Sequence, residues 1–209
     1  RPNPSRQNPG PENDPMSDLI VGPDGRHRCG WCGDDAAYQR YHDEEWGVPV
    51  RDDRALFEKL CLEGFQAGLS WITILRKREN FRRAFHDFAP DRISTMGPAD
   101  VAALMGDAGI VRNRLKIEAT ISNAQAYLAL MARDPAGFSG FVWAAVDGET
   151  QINRPRSRSD VPAKTAAAEA LSKRLKQAGF RFVGPTICYA FMQSMGLIDD
   201  HLEGCWRAR

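Results

Sequence analysis

Residues 62 to 71 read LEGFQAGLSW, in the middle of a helical run that the apolar pattern extends from Asp53 to about Leu75. Leu56, Leu60, Glu63, Ala67, Trp71 and Ile74 follow one another at steps of three or four residues, which lays them along one helix face turned to a core. Glu63 interrupts that stripe. A carboxylate there is costly to bury unpaired, so it must be neutralised, hydrogen-bonded or turned to a ligand cavity. Gly64 and Gly68 each cost about 1 kcal/mol in a helix interior relative to alanine, a cost best understood if something approaches the backbone there. Trp71, two turns after Glu63, offers an aromatic wall. The plainer alternative is a structural glutamate bonded to an indole or a backbone amide, with Gly64 packing another helix.

The flanking chain is helical in the same grammar. Glu79 to Phe88 reads as an amphipathic helix ended by Pro90, preceded by Arg76, Lys77 and Arg78. Pro98 opens a short helix, PADVAALMG, and a turn at Ala108-Gly109-Ile110 leads into a long helix from about Arg112 to Met131. A helix N-terminus exposes unpaired N–H groups and about half a positive charge. Gly109, Ile110 and Val111, with Arg112, Arg114 and Lys116, therefore form a candidate seat for a DNA phosphate, against the alternative of an ordinary connection carrying exposed basic residues. Asp134-Pro135 stops the long helix. Further helices are expected over Phe138 to Val146, Ala163 to Gly179 and Pro185 to Gly196, with an exposed basic loop, NRPRSRSD, at 153 to 160. No strand-alternating run, phosphate loop, nucleophile elbow or internal repeat is present.

Composition bounds the possibilities. A chain of 209 residues with 43% hydrophobic and 26% charged residues supports one well-cored domain, or two lobes sharing a core. No apolar stretch approaches the roughly 20 residues that span a bilayer, and no signal segment is evident, so no membrane association is expected. With a formal charge of +1, a polyanion must be met by local basic patches. Five cysteines without an export signal point to a reducing, cytoplasmic setting in which thiols are available to a metal. Residues 1 to 28 read as a flexible N-terminal arm, with 1 to 15 as sequence upstream of a natural start at Met16.

Order begins at Cys29. Between residues 29 and 46 the chain carries Cys29, Cys32, His42 and four aromatics, Trp31, Tyr38, Tyr41 and Trp46; near its end stands His201-Leu-Glu-Gly-Cys205. Thiolate and imidazole pairs at an H-x3-C spacing suit a tetrahedral zinc site, for which Cys29, His42, His201 and Cys205 are the chosen ligands. On spacing alone Cys32 competes with Cys29. The H-x-E run at His42-Asp43-Glu44 suggests a zinc deaminase, but there the P-C-x-x-C must follow it, and here the C-x-x-C precedes it.

Taken together, RCGW at 28 to 31, YHDEEWGVP at 41 to 49, CLEGFQAGLSW at 61 to 71, DAGIVRNRLKI at 107 to 117, GFRFVGPTICYAFMQSMGL at 179 to 197 and DHLEGC at 200 to 205 closely resemble the bacterial DNA-3-methyladenine glycosylase I family. The resemblance implies an all-α, two-lobed helix-hairpin-helix DNA glycosylase fold over 29 to 209, with the hairpin at about 98 to 131. It implies one structural zinc joining the N- and C-terminal segments, and it selects Cys29 over Cys32. The implied activity is monofunctional base excision: hydrolysis of the N-glycosidic bond of 3-methyladenine in double-stranded alkylated DNA, by a monomer that releases the free base.

The chemistry is consistent with that implication. Methylation at N3 makes adenine a cationic leaving group, so recognition is harder than acid catalysis, and it calls for π faces around a flipped ring and a carboxylate at its edge. Glu63 supplies the carboxylate as both base contact and catalytic residue, Tyr41 a hydroxyl, Trp71 and Trp31 stacking faces, Tyr38 and Trp46 the wall. In the empty site desolvation is expected to disfavour an ionised Glu63 until ligand arrives. Asp134 is the one aspartate near the place where the wider superfamily often carries a catalytic one, though its Asp-Pro context reads better as a helix stop. A zinc-stabilised DNA-binding module without a base pocket is the alternative from another class.

Overall fold

The computed structural model describes residues 18–209, so the reading of residues 1 to 17 as flexible arm and upstream sequence lies outside the described residues. The described chain is mostly helical, with four strands of two or three residues.

Residues 18 to 28 are not an arm. Strands β1 (Leu19–Val21) and β2 (His27–Cys29) form an antiparallel hairpin with Leu19 opposite Cys29. Arg28, buried, holds it down by ion pairs to Asp24 and Asp43, each at 2.7 Å. Strands this short carry no alternation for a sequence pattern to reveal. The hairpin feeds α1 (Ala36–Glu44), capped by the Asp35 side chain, which accepts from the Tyr38 amide.

The helical run from Asp53 to Leu75 is two helices. Helix α2 (Asp53–Gln66) starts at an Asp52 cap, and α3 (Trp71–Ala84) starts after a turn. Gly68 makes the break, because its φ of +83° lies in the left-handed region where glycine is favoured. Its role is conformational, since a Cβ at that position would meet nothing within 4 Å. Gly64 does allow a close approach: a Cβ there would stand 3.3 Å from that of Phe182. Helix α2 is buried without interruption from Leu60 to Phe65 and is the central element, in contact with α3 and with the helices over Arg114–Arg133, Gly137–Trp143 and Pro185–Ser194.

Helix α3 absorbs residues 79 to 84 of the expected 79 to 88 helix, which ends in a 3-10 turn, His86–Phe88; Pro90 then opens α4 (Pro90–Ile93) instead of ending a helix. Helix α5 (Pro98–Gly106) and α6 (Arg114–Arg133) flank the expected turn. Helix α6 begins two residues later than expected because the Asn113 side chain accepts from the Lys116 amide and caps it there. Helices α7 (Gly137–Trp143), α8 (Ala166–Gln177) and α9 (Pro185–Ser194) follow. Strand β3 (Gln151–Ile152) pairs in parallel with β4 (Ile198–Asp199), which leads into the C-terminal segment. No described helix is long and apolar enough to cross a membrane.

Candidate functional site: an aromatic pocket beside a thiol–imidazole cluster

A cavity of about 550 Å³ is lined by Trp31, Tyr38, Tyr41, Trp46, Glu63 and Trp71, the six residues expected to contact a base. Helix α1 brings Tyr38 and Tyr41 one turn apart, α2 brings Glu63, and the first residue of α3 is Trp71. Trp31 meets Tyr38 and Trp46 edge to face, at 5.2 Å and 5.0 Å between centroids, and Tyr41 lies tilted against Trp71 at 5.4 Å. The break at Gly68 creates this geometry, since Trp71 belongs to a second helix and can face Tyr41 across the cavity. The Trp71 indole N–H is buried and has no partner among the described residues. Asp18, Gln66, Arg158, Gln193 and Asp200 add to the polar lining.

Glu63 is buried, and its carboxylate is paired. The Lys59 ammonium stands 3.0 Å from Glu63 Oε1, one helical turn back along α2. It also donates to the Tyr41 hydroxyl oxygen at 2.8 Å and lies over the Trp71 ring, 3.1 Å from its centroid. Burial pulls the Lys59 ammonium down to about 8, against the attraction of Glu63. Burial also holds the Tyr41 hydroxyl well above the usual phenol range, so it stays a hydrogen-bond donor. Lys59 itself does not line the large cavity. It lies behind the Tyr41–Trp71 wall, beside a smaller space of about 240 Å³.

The next residue on α1 after Tyr41 is His42, and it faces the other way. Cys29, His42 and Cys205 place ligand atoms within 4.8 Å of one another, all buried. The His42 Nε2 is 3.5 Å from Cys205 Sγ, and its Nδ1 is 2.8 Å from Asp43 Oδ1. Backbone amides of Leu202 and Arg207 donate to the sulfurs of Cys29 and Cys205. A hydrogen bond from Cys29 holds the Cys205 thiol well below the usual thiol range, and the same contact pushes the Cys29 thiol up. His201 lies outside this tight group, but its ring centroid is 5.2 Å from that of His42. Its Nδ1 is fixed by Asp199 at 2.7 Å, and its buried Nε2 has no partner among the described residues. Cys32 is buried apart from the group. Trp31 and Trp46 stand between the two clusters, with the Trp46 centroid 4.6 Å from His201.

The turn between α5 and α6 is only partly free. Gly109 donates its N–H to Asp107 Oδ1 at 2.7 Å, and the Ile110 N–H reaches Asp107 O at 3.4 Å. Arg112 and Arg114 are exposed. Lys116 is not: its buried ammonium donates to Phe65 O at 2.8 Å and Ala67 O at 2.6 Å, capping the C-terminal carbonyls of α2. The assignment of Lys116 to DNA is therefore overturned, because a side chain committed to the end of the central helix has no reach to a phosphate. Asp134 is half-buried, accepts from the Ala136 amide and does not line the cavity, as a helix stop does.

Four residues of the site escaped the sequence reading. Lys59 was legible as the i, i+4 partner of Glu63 on one helix face. Asp200, which accepts from Tyr189, Gln193 and Asn153, and Asp43 and Asp199, which orient the two imidazoles, carry no local signal apart from standing next to or near a histidine.

Fold and pocket define a helical protein with a partly enclosed aromatic site that can hold a flat ring against one carboxylate. Residues 31–208 match the methyladenine glycosylase family model, and the chain belongs to that family. DNA-3-methyladenine glycosylase 1 of Escherichia coli (strain K12) is 53% identical over 178 residues, which cover 85% of this chain and 95% of the relative. A crystal structure of 3-methyladenine DNA glycosylase I superposes with a TM-score of 0.85 at 53% identity, covering 87% of this chain and 100% of the other. A Staphylococcus aureus 3-methyladenine DNA glycosylase I, solved to show the basis of 3-methyladenine recognition, superposes with a TM-score of 0.80 at 41% identity, covering 82% and 91%.

Proposed function

We propose that this chain excises 3-methyladenine from alkylated double-stranded DNA as the first step of base excision repair. The observation that carries the reading is Glu63, the carboxylate of α2, standing in a cavity walled by Trp31, Tyr38, Tyr41, Trp46 and Trp71. A cavity of about 550 Å³ accommodates a purine, and family membership supports the choice of base. In the reaction the bond between C1′ and the alkylated ring breaks, its electron pair neutralises the cationic base, and water adds to C1′ with release of a proton. The rings bind and orient the flipped base, and Glu63 holds its polar edge while favouring the positive charge of the substrate. Lys59 does not line the cavity, so its amine is not offered to C1′, in keeping with hydrolysis without lyase chemistry. Chromatography of bases released from methylated DNA tests the proposal, with free 3-methyladenine as the expected product and no strand cleavage.

Cys29, His42, His201 and Cys205 are proposed to hold one structural zinc. The donor set is two thiols and two imidazoles, each imidazole is oriented by a carboxylate on Nδ1, and the buried, unpartnered His201 Nε2 calls for an electrophile. When bound, the metal supplies only cross-linking, because four protein ligands leave no open position.

DNA engagement is read onto α5, the turn and α6 as a helix-hairpin-helix element in one lobe of a two-lobed fold, with Gly109, Ile110, Val111, Arg112 and Arg114 facing the phosphates. Two features support it: Arg112 and Arg114 are exposed at the start of α6, and Leu69 stands exposed in the turn between the lining residues Gln66 and Trp71. An apolar side chain at that place suits the gap left by a flipped nucleotide.

A further inference from the structure

Lys59 has no part in the chemistry above, yet it is a buried charge with three partners inside the pocket wall. We propose that Lys59 is the positioning residue that sets the hydrogen-bonding polarity of the base site, holding Glu63 as an acceptor and turning the Tyr41 hydroxyl into a donor. This rests on the reading of the cavity as a purine site.

The geometry supports it atom by atom. The ammonium takes Glu63 Oε1 at 3.0 Å, and Glu63 Oε2 has no protein donor among the described residues. It also donates to the Tyr41 oxygen at 2.8 Å, so the phenol hydrogen cannot lie along that contact and remains available to another acceptor. Tyr41, Glu63 and Trp71 all line the large cavity whereas Lys59 does not, so the lysine acts on a bound ring through these wall side chains, and Tyr41 and Glu63 are the two that can hydrogen-bond to its edge. The result is one acceptor beside one donor, the complement of an adenine edge that presents an amino N–H next to a ring nitrogen. Other charges around Lys59 are already committed: Glu45, at the end of α1, is bound by Arg78 of α3, and Glu58 of α2 is bound by Arg82. Glu63 is thus the one carboxylate in direct contact with the ammonium among the described residues.

Without the ammonium, Glu63 is a buried carboxylate with no counter-charge and the Tyr41 hydrogen is free to turn toward it, so the pair no longer presents one fixed acceptor beside one fixed donor. Lys59→Met keeps the length and removes the charge. Binding of free 3-methyladenine, followed by quenching of tryptophan fluorescence, is measured at pH 7 for the wild type, Lys59→Met, Glu63→Gln and the double variant. The expected result is a loss of about tenfold or more in Lys59→Met, with less than about a twofold further loss when the same substitution is made in the Glu63→Gln background. Lys59→Gln serves as a second variant should Lys59→Met fail to fold, with the same expectation. Wild-type affinity in a folded Lys59 variant, or a loss that is as large in the Glu63→Gln background as in the wild type, overturns the proposal. A wild-type protein that binds no 3-methyladenine overturns the purine reading itself, and the role of Lys59 falls with it.

Discussion

Tyr41 and His42 are consecutive residues on α1, both buried, and they serve two polar clusters of opposite character. Tyr41 faces a cavity of about 550 Å³ in which Glu63 keeps one oxygen free of donors among the described residues. His42 faces a closed knot of sulfur and imidazole, where Arg28, Trp206 and the Leu202 and Arg207 amides take up much of the available hydrogen bonding. One cluster is left open to a ligand and the other is built to be sealed. The two share Trp31 and Trp46 as a common wall, so sealing one fixes the shape of the other.

The contrast predicts which changes spread and which stay local. The largest effect is expected from Cys205→Ala, which removes a proposed zinc ligand from the sealed cluster and leaves buried polar groups unpaired; bound zinc should be lost, with a stability decrease on the order of several kcal/mol in thermal unfolding. Undiminished zinc and unchanged melting in that variant would show that the cluster is not a metal site. Asp199→Asn should weaken metal binding by about 10- to 100-fold, because the aspartate fixes the His201 ring. Competition with a chromogenic chelator measures this, and an unaltered affinity would detach His201 from the site. A smaller effect is expected from neutralising Arg112 and Arg114 together. Duplex binding should weaken for all sequences alike, and the slope of log affinity against log salt should fall by about one for each phosphate that the arginines no longer neutralise. Free-base binding should stay as it was; a slope unchanged by both substitutions assigns the α5–α6 turn a structural role only. The smallest effect belongs to Asp134→Asn, expected to shift stability by no more than about 0.5 kcal/mol and to leave excision intact; a large loss of excision would return this aspartate to the chemistry.

Much of this was legible in the sequence where the signal is local or periodic. The helices from α5 to α9 follow from proline and glycine punctuation and from apolar spacing, and α5 has the bounds of the PADVAALMG run. The six pocket residues were legible because aromatic side chains and a core-facing carboxylate are conspicuous, and the resemblance to the glycosylase family joined them into one site. What could not be read was three-dimensional pairing. The 53 to 75 run looked continuous because the stripe carries through Ala67, whereas the left-handed φ of Gly68 starts a new helix and turns Trp71 toward Tyr41. Lys116 looked like a surface cation because nothing near it in sequence shows that the end of α2 lies within reach of its ammonium. Residues 18 to 28 looked unstructured because their order depends on Asp43 and Leu202, which are distant in the chain.

The central claim is that Glu63 makes the aromatic cavity a site for an alkylated base, and one comparison tests it directly: chromatographic release of 3-methyladenine from methylated duplex DNA by the wild type and by Glu63→Gln, each checked for folding and zinc content. The account predicts that Glu63→Gln folds with zinc bound and loses roughly 1.5 to 3 kcal/mol of transition-state stabilisation, on the order of 10- to 150-fold in rate. Release at the wild-type rate by a folded Glu63→Gln protein would contradict it.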